Sequence, residues 1–245
     1  MFSVAVSSSQ KTRMIVRLAL AQLLLLLSCK AVSAQAGNLF DPAHRWKVLT
    51  EYAWTSGHYF PNGGDAWDRK WVAAGVGSEW RLGRFWGGAL KYETEFRPLV
   101  LISNLAQSGP GVGQTHLDIQ QCPEQPGYTG AVCRTEWVYG QQFSPVGFQE
   151  NFGVRRRFQP FFAVNTGYLY SDHQIPSDTS GNFHFTIAVG GGFEYFTGPS
   201  GRSVSVEAQA QHYSNAYTAP TNYGTDNIFI KASYRFAWEH PSRSH

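Results

Sequence analysis

The stretch Ser203-Val-Ser-Val-Glu-Ala-Gln-Ala-Gln-His-Tyr-Ser214 alternates strictly. Val204, Val206, Ala208, Ala210, His212 and Ser214 share one parity, and Ser203, Ser205, Glu207, Gln209 and Gln211 share the other. A side-chain period of two is the pattern of a β-strand, whose successive residues point to opposite faces. The pattern returns downstream, where Ile228, Ile230, Ala232, Tyr234 and Phe236 alternate with Asn227, Phe229, Lys231, Ser233 and Arg235. If 203–214 and 226–236 pair as an antiparallel hairpin, Asp226 comes back beside His212, on the face that also carries Ser214. Histidine, serine and a carboxylate are the base, nucleophile and orienting acid of a serine hydrolase.

Outward from this hairpin the whole chain reads as all-β. Trp, Tyr and Phe make up 15% of the residues, glycine punctuates at strand-like intervals, and no segment after residue 40 keeps a helical period. Eight strands are expected, at about 45–56, 70–82, 85–102, 138–152, 159–171, 183–196, 203–215 and 226–238. Their connections alternate between long (57–69, 103–137, 172–182, 216–225) and short (83–84, 153–158, 197–202). An even strand number with this asymmetry predicts an eight-stranded antiparallel transmembrane β-barrel of the bacterial outer membrane, with short periplasmic turns and long external loops.

Polarity sorts in the same way. In the third strand Trp86, Leu90, Tyr92 and Phe96 oppose Lys91, Glu93, Glu95 and Arg97. Charges so dense on one face belong in a filled lumen, where they neutralise one another while the apolar face meets lipid. A lipocalin-like soluble barrel would reverse the two faces; the aromatic density and the loop asymmetry favour the membrane. With both termini periplasmic, the seventh strand runs outward and ends at Ser214. The three groups then stand at the extracellular rim and face lipid.

The first 36 residues read as a secretory leader: Lys11, Arg13 and Arg17, an apolar run from Leu18 to Leu27, then small residues to Ala36. That run is too short to span a bilayer, which takes about 20 residues. Residues 37–245 are expected to form a single barrel domain. Losing 1–36 removes four basic residues and no acidic one, so 16 Lys plus Arg remain against 17 Asp plus Glu, a net charge of about −1. Nucleic acid therefore loses its electrostatic case as a partner. In an exported chain Cys122 and Cys133 are the expected disulfide pair. A lipoprotein-type site at Leu26-Leu27-Ser28-Cys29, with Cys29 kept and acylated, is the alternative processing.

The motif His212-Tyr213-Ser214-Asn215, followed by Asn222-x-Gly224 and an acid fourteen residues after the histidine, resembles the outer-membrane lipid A 3-O-deacylases of the PagL type. Upstream, Tyr139-Gly140, Ser144-Pro145-Val146-Gly147-Phe148 and Phe152 resemble that family's fourth strand. The resemblance implies a barrel that removes an ester-linked acyl chain from the lipid A part of lipopolysaccharide, its substrate partner in outer-membrane lipid. Ser214 is then the nucleophile, His212 the base, Asp226 the orienting acid and Asn215 an oxyanion donor. Two positions depart from the family pattern. Asp226 replaces Glu and is one methylene shorter, and Tyr217 stands where a small residue such as glycine is expected.

Other readings use the same residues. His-x-Ser also occurs in the tail as His240-Pro241-Ser242, and Asn215, Ala216 and Asn222-x-Gly224 suit an ordinary turn. A non-catalytic structural or adhesion barrel, or a phospholipase with the same three groups, are the alternatives. Against a purely structural role, polar groups on a lipid face are costly and usually functional. Arg155-Arg156-Arg157 reads as a solvated turn, and Gly190-Gly191-Gly192 as a strand bend rather than a phosphate loop. His58, His116, His173 and His184 lack metal-ligand spacing, so neither a metal nor another cofactor is expected.

Overall fold

The computed structural model describes residues 42–53, 56–57, 69–109, 113–117, 132–198, 200–222 and 224–236. All of them fall within the unit Gln35–His245. The leader expected over 1–36, Cys122 and the side chain of Cys133 lie outside the described residues. Eight long strands form the barrel: β1 His44–Ala53, β2 Trp71–Phe85, β3 Gly88–Gly109, β4 Val132–Asn151, β5 Phe158–Ser171, β6 Phe183–Phe196, β7 Ser203–Ser214 and β8 Thr225–Phe236. Every neighbouring pair is antiparallel, and β1 pairs β8 from Trp46↔Phe236 to Tyr52↔Ile230, which closes the sheet.

The faces sort as the alternation predicts. Trp46, Val48, Tyr52, Val76, Phe143, Phe162, Phe193, Val206 and Ile230 are exposed, while Arg45, Lys47, Glu51, Lys91, Glu93, Glu95, Arg97, Lys231 and Arg235 are buried. A soluble barrel would turn the two sets the other way round. An apolar exterior around an ion-paired interior is the arrangement that meets hydrocarbon without unpaired backbone or charge.

Inside, the pairing is dense. Arg97 forks onto Glu51 at 2.8 and 2.5 Å and also reaches Glu95. Lys47 bridges Glu93 at 2.9 Å and Glu95 at 2.5 Å. Arg235 donates to Glu79 at 2.8 Å, and Lys231 meets Glu207 at 2.7 Å. Removing one member of such a network leaves its partners charged and buried, at a cost of about 3–5 kcal/mol. Arg97→Ala is accordingly expected to destabilise the folded barrel by that order. The check is a urea titration in detergent, followed by the electrophoretic shift between folded and unfolded barrel.

The charges do not fill the whole lumen. Toward the outer end the inward positions become Ala53, Trp71, Ala73, Val100, Ile102, Val138, Leu169, Tyr213 and Phe229, a contiguous buried apolar cluster. Trp71 packs edge-on against Phe229 at 5.3 Å between ring centroids and lies 5.9 Å from Tyr213. An apolar plug thus backs the extracellular third of β7 and β8, which stiffens the wall on which His212 and Asp226 stand.

Two boundaries differ from the sequence expectation. The turn expected at 83–84 lies at Trp86-Gly87, both at positive φ (+43° and +83°), the two-residue hairpin geometry matching strand twist. Gly83 instead accompanies a bulge between Arg81 and Gly83. Further out, β3 and β4 stay paired through Ser108↔Val132, and Gly113–Leu117 adds to the outer end of β3. This region was expected to be loop, because Ser103, Asn104, Gln107 and Ser108 lack the apolar alternation of a lipid-facing strand. Strands that continue into water no longer need it.

Candidate active site

The β7–β8 ladder places Asp226 directly opposite His212 and Thr225 opposite Tyr213. His212, Ser214 and Asp226 have exterior parity, while Tyr213, Gln211 and Asn227 fill the lumen. His212 Nδ1 and Asp226 Oδ1 are 2.5 Å apart, with the Asp226 side chain fully buried and that of His212 21% exposed. A carboxylate only accepts, so Nδ1–H donates to it and Nε2 is left with its lone pair. The shorter acid needs no bridging water, because residues directly opposed across an antiparallel pair have Cβ atoms only about 4.5–5.5 Å apart. On its other edge Asp226 pairs with Gly57 of the short segment Ser56–Gly57.

Gly224 closes the imidazole in from the opposite side. A Cβ at this position would lie 2.6 Å from Cε1 and 3.3 Å from Nε2 of His212. The ring cannot retreat cheaply, since Asp226 holds Nδ1. Gly224→Ala is therefore expected to lower kcat about 10²-fold by displacing the ring, the order typical of a 1 Å misplacement. The loss should appear in kcat rather than in the stability of the barrel. Turnover kinetics alongside a urea titration check both.

Ser214 is the last residue of β7, on the exterior row that carries His212, and it pairs with Phe185 of β6. Same-face neighbours along a strand stand about 6.8 Å apart at Cα, so the two side chains occupy adjacent places on one row of the wall.

Beyond Ser214 the chain folds round Asn215. This side chain is buried, and its Nδ2 donates to the carbonyls of Ser180 and, at 2.6 Å, Thr221. Its Oδ1 accepts from Tyr217 N–H at 2.9 Å, and its carbonyl accepts from Thr218 N–H at 3.0 Å. Both side-chain amide hydrogens of Asn215 are thus committed. The oxyanion role expected of Asn215 finds no free donor in that side chain, which instead braces the loop and ties it to the β5–β6 connection. The physical reason is burial: an amide enclosed by carbonyls satisfies them first.

Ala216 and Tyr217 both adopt left-handed backbone, at φ +49° and +61°. Each costs a non-glycine residue about 1–2 kcal/mol, and the Asn215–Tyr217 bond holds the pair in place. A glycine at position 217 would carry no such strain. Of the four site residues read from sequence, the structure brings His212 and Asp226 into contact and aligns Ser214 with them, and it assigns the Asn215 side chain elsewhere. Gly224 appeared in sequence only within Asn222-x-Gly224, as part of the family motif or of a turn; its packing against the ring has no local signal.

With this geometry in place, comparison with known proteins is direct. The family model described as lipid A 3-O-deacylase (PagL) matches residues 44–235, the whole barrel. Among solved structures, the outer membrane enzyme PagL is similar at 16% identity and a TM-score of 0.44, covering 78% of this chain and 99% of its own. Neisserial surface protein A is similar at 10% identity and a TM-score of 0.42, covering 80% of this chain and 98% of its own. No curated protein matches the chain. Because the family model spans every barrel strand and both strands of the His212–Asp226 hairpin, the chain belongs to the lipid A 3-O-deacylase (PagL) family.

Proposed function

We propose that this outer-membrane barrel deacylates lipid A as a serine esterase, with Ser214 as nucleophile, His212 as general base and Asp226 as orienting acid. The observation that carries the proposal is the 2.5 Å His212–Asp226 contact on the exterior face, in line with a serine two residues along the strand. Ser214 Oγ attacks the ester carbonyl while its proton passes to Nε2 of His212. Collapse of the tetrahedral intermediate returns that proton to the departing sugar hydroxyl, leaving an acyl-enzyme. Water, deprotonated by the same imidazole, then releases the fatty acid and restores Ser214. Asp226 keeps the proton on Nδ1 in the resting state and stabilises the imidazolium that forms. The oxyanion donor is assigned to the backbone N–H groups of Asn215 and Ala216, because the Asn215 side chain and the Tyr217 and Thr218 N–H groups are committed; one such donor contributes about 10²–10³ in rate.

An exterior site suits an amphiphile, which reaches Ser214 by lateral diffusion within the outer leaflet. A fluorophosphonate tests the nucleophile. Wild-type barrel is expected to take up one label on the peptide containing Ser214, and Ser214→Ala none. Labelling elsewhere in the barrel, with Ser214 unmodified, contradicts the assignment. Lipopolysaccharide and phospholipid offered in parallel distinguish the deacylase from a phospholipase with the same three groups.

A further inference from the structure

The short-turn end of the barrel, opposite Ser214, carries exposed charge of one sign. Arg84 near the end of β2, Arg155, Arg156 and Arg157 in the β4–β5 turn and Arg202 just before β7 are all exposed. Among the described residues none of these five makes an ion pair, and no exposed carboxylate stands at this end, since Glu79, Glu150 and Glu194 are buried. The outer end is mixed: exposed Lys70 is accompanied there by exposed Asp172 and Asp178.

The backbone gathers these arginines into a collar. Phe196 N–H donates to the Arg157 carbonyl and Thr197 N–H to the Arg202 carbonyl, each at 2.9 Å, so the two arginines flank the inner end of β6. Arg84 pairs with Ala89, and Ala89 pairs with Asn151, the last residue of β4 before the turn that holds the other three. The collar thus runs from β2 to β7. Its hydrogen bonds to the strands use main-chain carbonyls, and the guanidinium groups take no part in them.

Aromatic rings mark the depth at which the collar stands. Phe85 and Trp86 follow Arg84 directly, and Phe158 follows Arg157; Phe85 stacks on Trp86 and Phe158 on Phe193, each pair at 4.9 Å between centroids. Phe158, Phe193 and Tyr195 are exposed on the barrel wall. Trp86 is 85% exposed and holds left-handed backbone at φ +43°, a conformation few bulky residues adopt. Rings of this kind collect at the membrane–water boundary. Arginines next to them in the chain come at the level of the lipid headgroups.

We infer that this collar is a binding surface for anionic phospholipid headgroups in the inner leaflet of the outer membrane. A guanidinium fork matches the oxygens of a phosphodiester, and at the membrane surface it meets them in a layer where their attraction is less screened than in bulk water. The occupant is a lipid because the collar is continuous with the aromatic belt that contacts lipid, and an anionic one because five cations here face no exposed acid of the protein. The surface lies at the far end of the barrel from His212, Ser214 and Asp226 and does not depend on the esterase reading.

The test counts lipids retained on the detergent-solubilised barrel by native mass spectrometry, as phosphatidylglycerol or phosphatidylcholine of the same acyl chains is added. Wild type is expected to hold phosphatidylglycerol tighter by about tenfold or more, with the preference shrinking as salt is raised. Arg202→Gln should weaken phosphatidylglycerol about fivefold, and the triple variant Arg155→Gln, Arg156→Gln, Arg157→Gln about tenfold or more. Lys70→Gln, at the outer end, and Ser214→Ala should both bind as wild type does. Each variant is first checked for folding by its electrophoretic shift, and Arg202→Gln carries the test alone if the triple variant does not fold. Equal affinity of wild type for the two lipids, or unchanged phosphatidylglycerol affinity in the folded arginine variants, overturns the inference. So does a loss in Ser214→Ala, which would place the lipid at the esterase site, or an equal loss in Lys70→Gln, which would make the effect one of net charge. Polyglutamate retained with the same arginine dependence while phosphatidylglycerol is not retained overturns it in favour of a soluble acidic partner.

Discussion

Alanine at Ser214 or at His212 is expected to lower the turnover number by about 10⁶-fold, and the double variant by no more than either single change. The expectation follows from a shared proton. Without the imidazole the hydroxyl is a weak nucleophile at neutral pH, and without the hydroxyl the imidazole has nothing to activate. Non-additivity is therefore the informative part. Two residues that served the barrel only as interfacial polar groups would give small, additive losses. What survives in each variant measures substrate binding and backbone stabilisation of the oxyanion, with no contribution from the pair. The comparison is valid at the level of protein integrity, because both side chains stand on the exterior face of β7.

Asp226→Asn is expected to cost about 10⁴-fold in turnover, a clear loss that still leaves more activity than either alanine variant. The amide keeps the size of the carboxylate and can still touch Nδ1, but it presents a donor as readily as an acceptor. A donor turned toward the ring selects the tautomer that protonates Nε2, the atom required to accept the serine proton. Asp226 is fully buried against His212, so no water easily replaces the lost charge. Asp226→Glu gives the matching control. The extra methylene has to fit where the ladder already sets a 2.5 Å contact, and a partial loss well above the asparagine variant is the expected outcome on the same assay.

Why the hairpin was legible in sequence has a simple physical basis. In this barrel the inner part of each strand separates an apolar exterior from a polar, ion-paired lumen, so alternation there carries strong chemical contrast. Lys91, Glu93, Glu95 and Arg97 on one parity of β3 fix which face is inside once the exterior is known to be apolar. The same parity put His212, Ser214 and Asp226 on one wall, and the direct opposition of His212 and Asp226 needed only a symmetrical hairpin.

What was not legible depends on partners remote in the chain. Asn215 donates to the Thr221 carbonyl within its own loop, but its bond to the Ser180 carbonyl arises because the β5–β6 connection meets that loop, which no spacing around Asn215 encodes. The register shifts near Pro98 and Pro145 were not read from the sequence either: each bulge flips the inward parity, from Arg97 to Val100 on β3 and from Ser144 to Gln149 on β4. The apolar plug of Trp71, Tyr213 and Phe229 was hidden for a different reason. Parity already put Tyr213 and Phe229 inward, but only the ladder shows that they meet Trp71 and close a common apolar cluster. The strand extension over Ser103–Ser108 was read as loop, and its pairing with β4 is shown only by the ladder.

In the proposed reaction Ser214, activated by His212 and Asp226, cleaves an acyl ester of lipid A from the exterior of the barrel. Purified barrel incubated with lipopolysaccharide, with the lipid A products read by mass spectrometry, tests it most directly. Wild type is expected to release one hydroxyacyl chain and leave lipid A lighter by that mass, while Ser214→Ala leaves it intact. Lipid A unchanged by the wild-type barrel, or shortened equally by Ser214→Ala, contradicts the account.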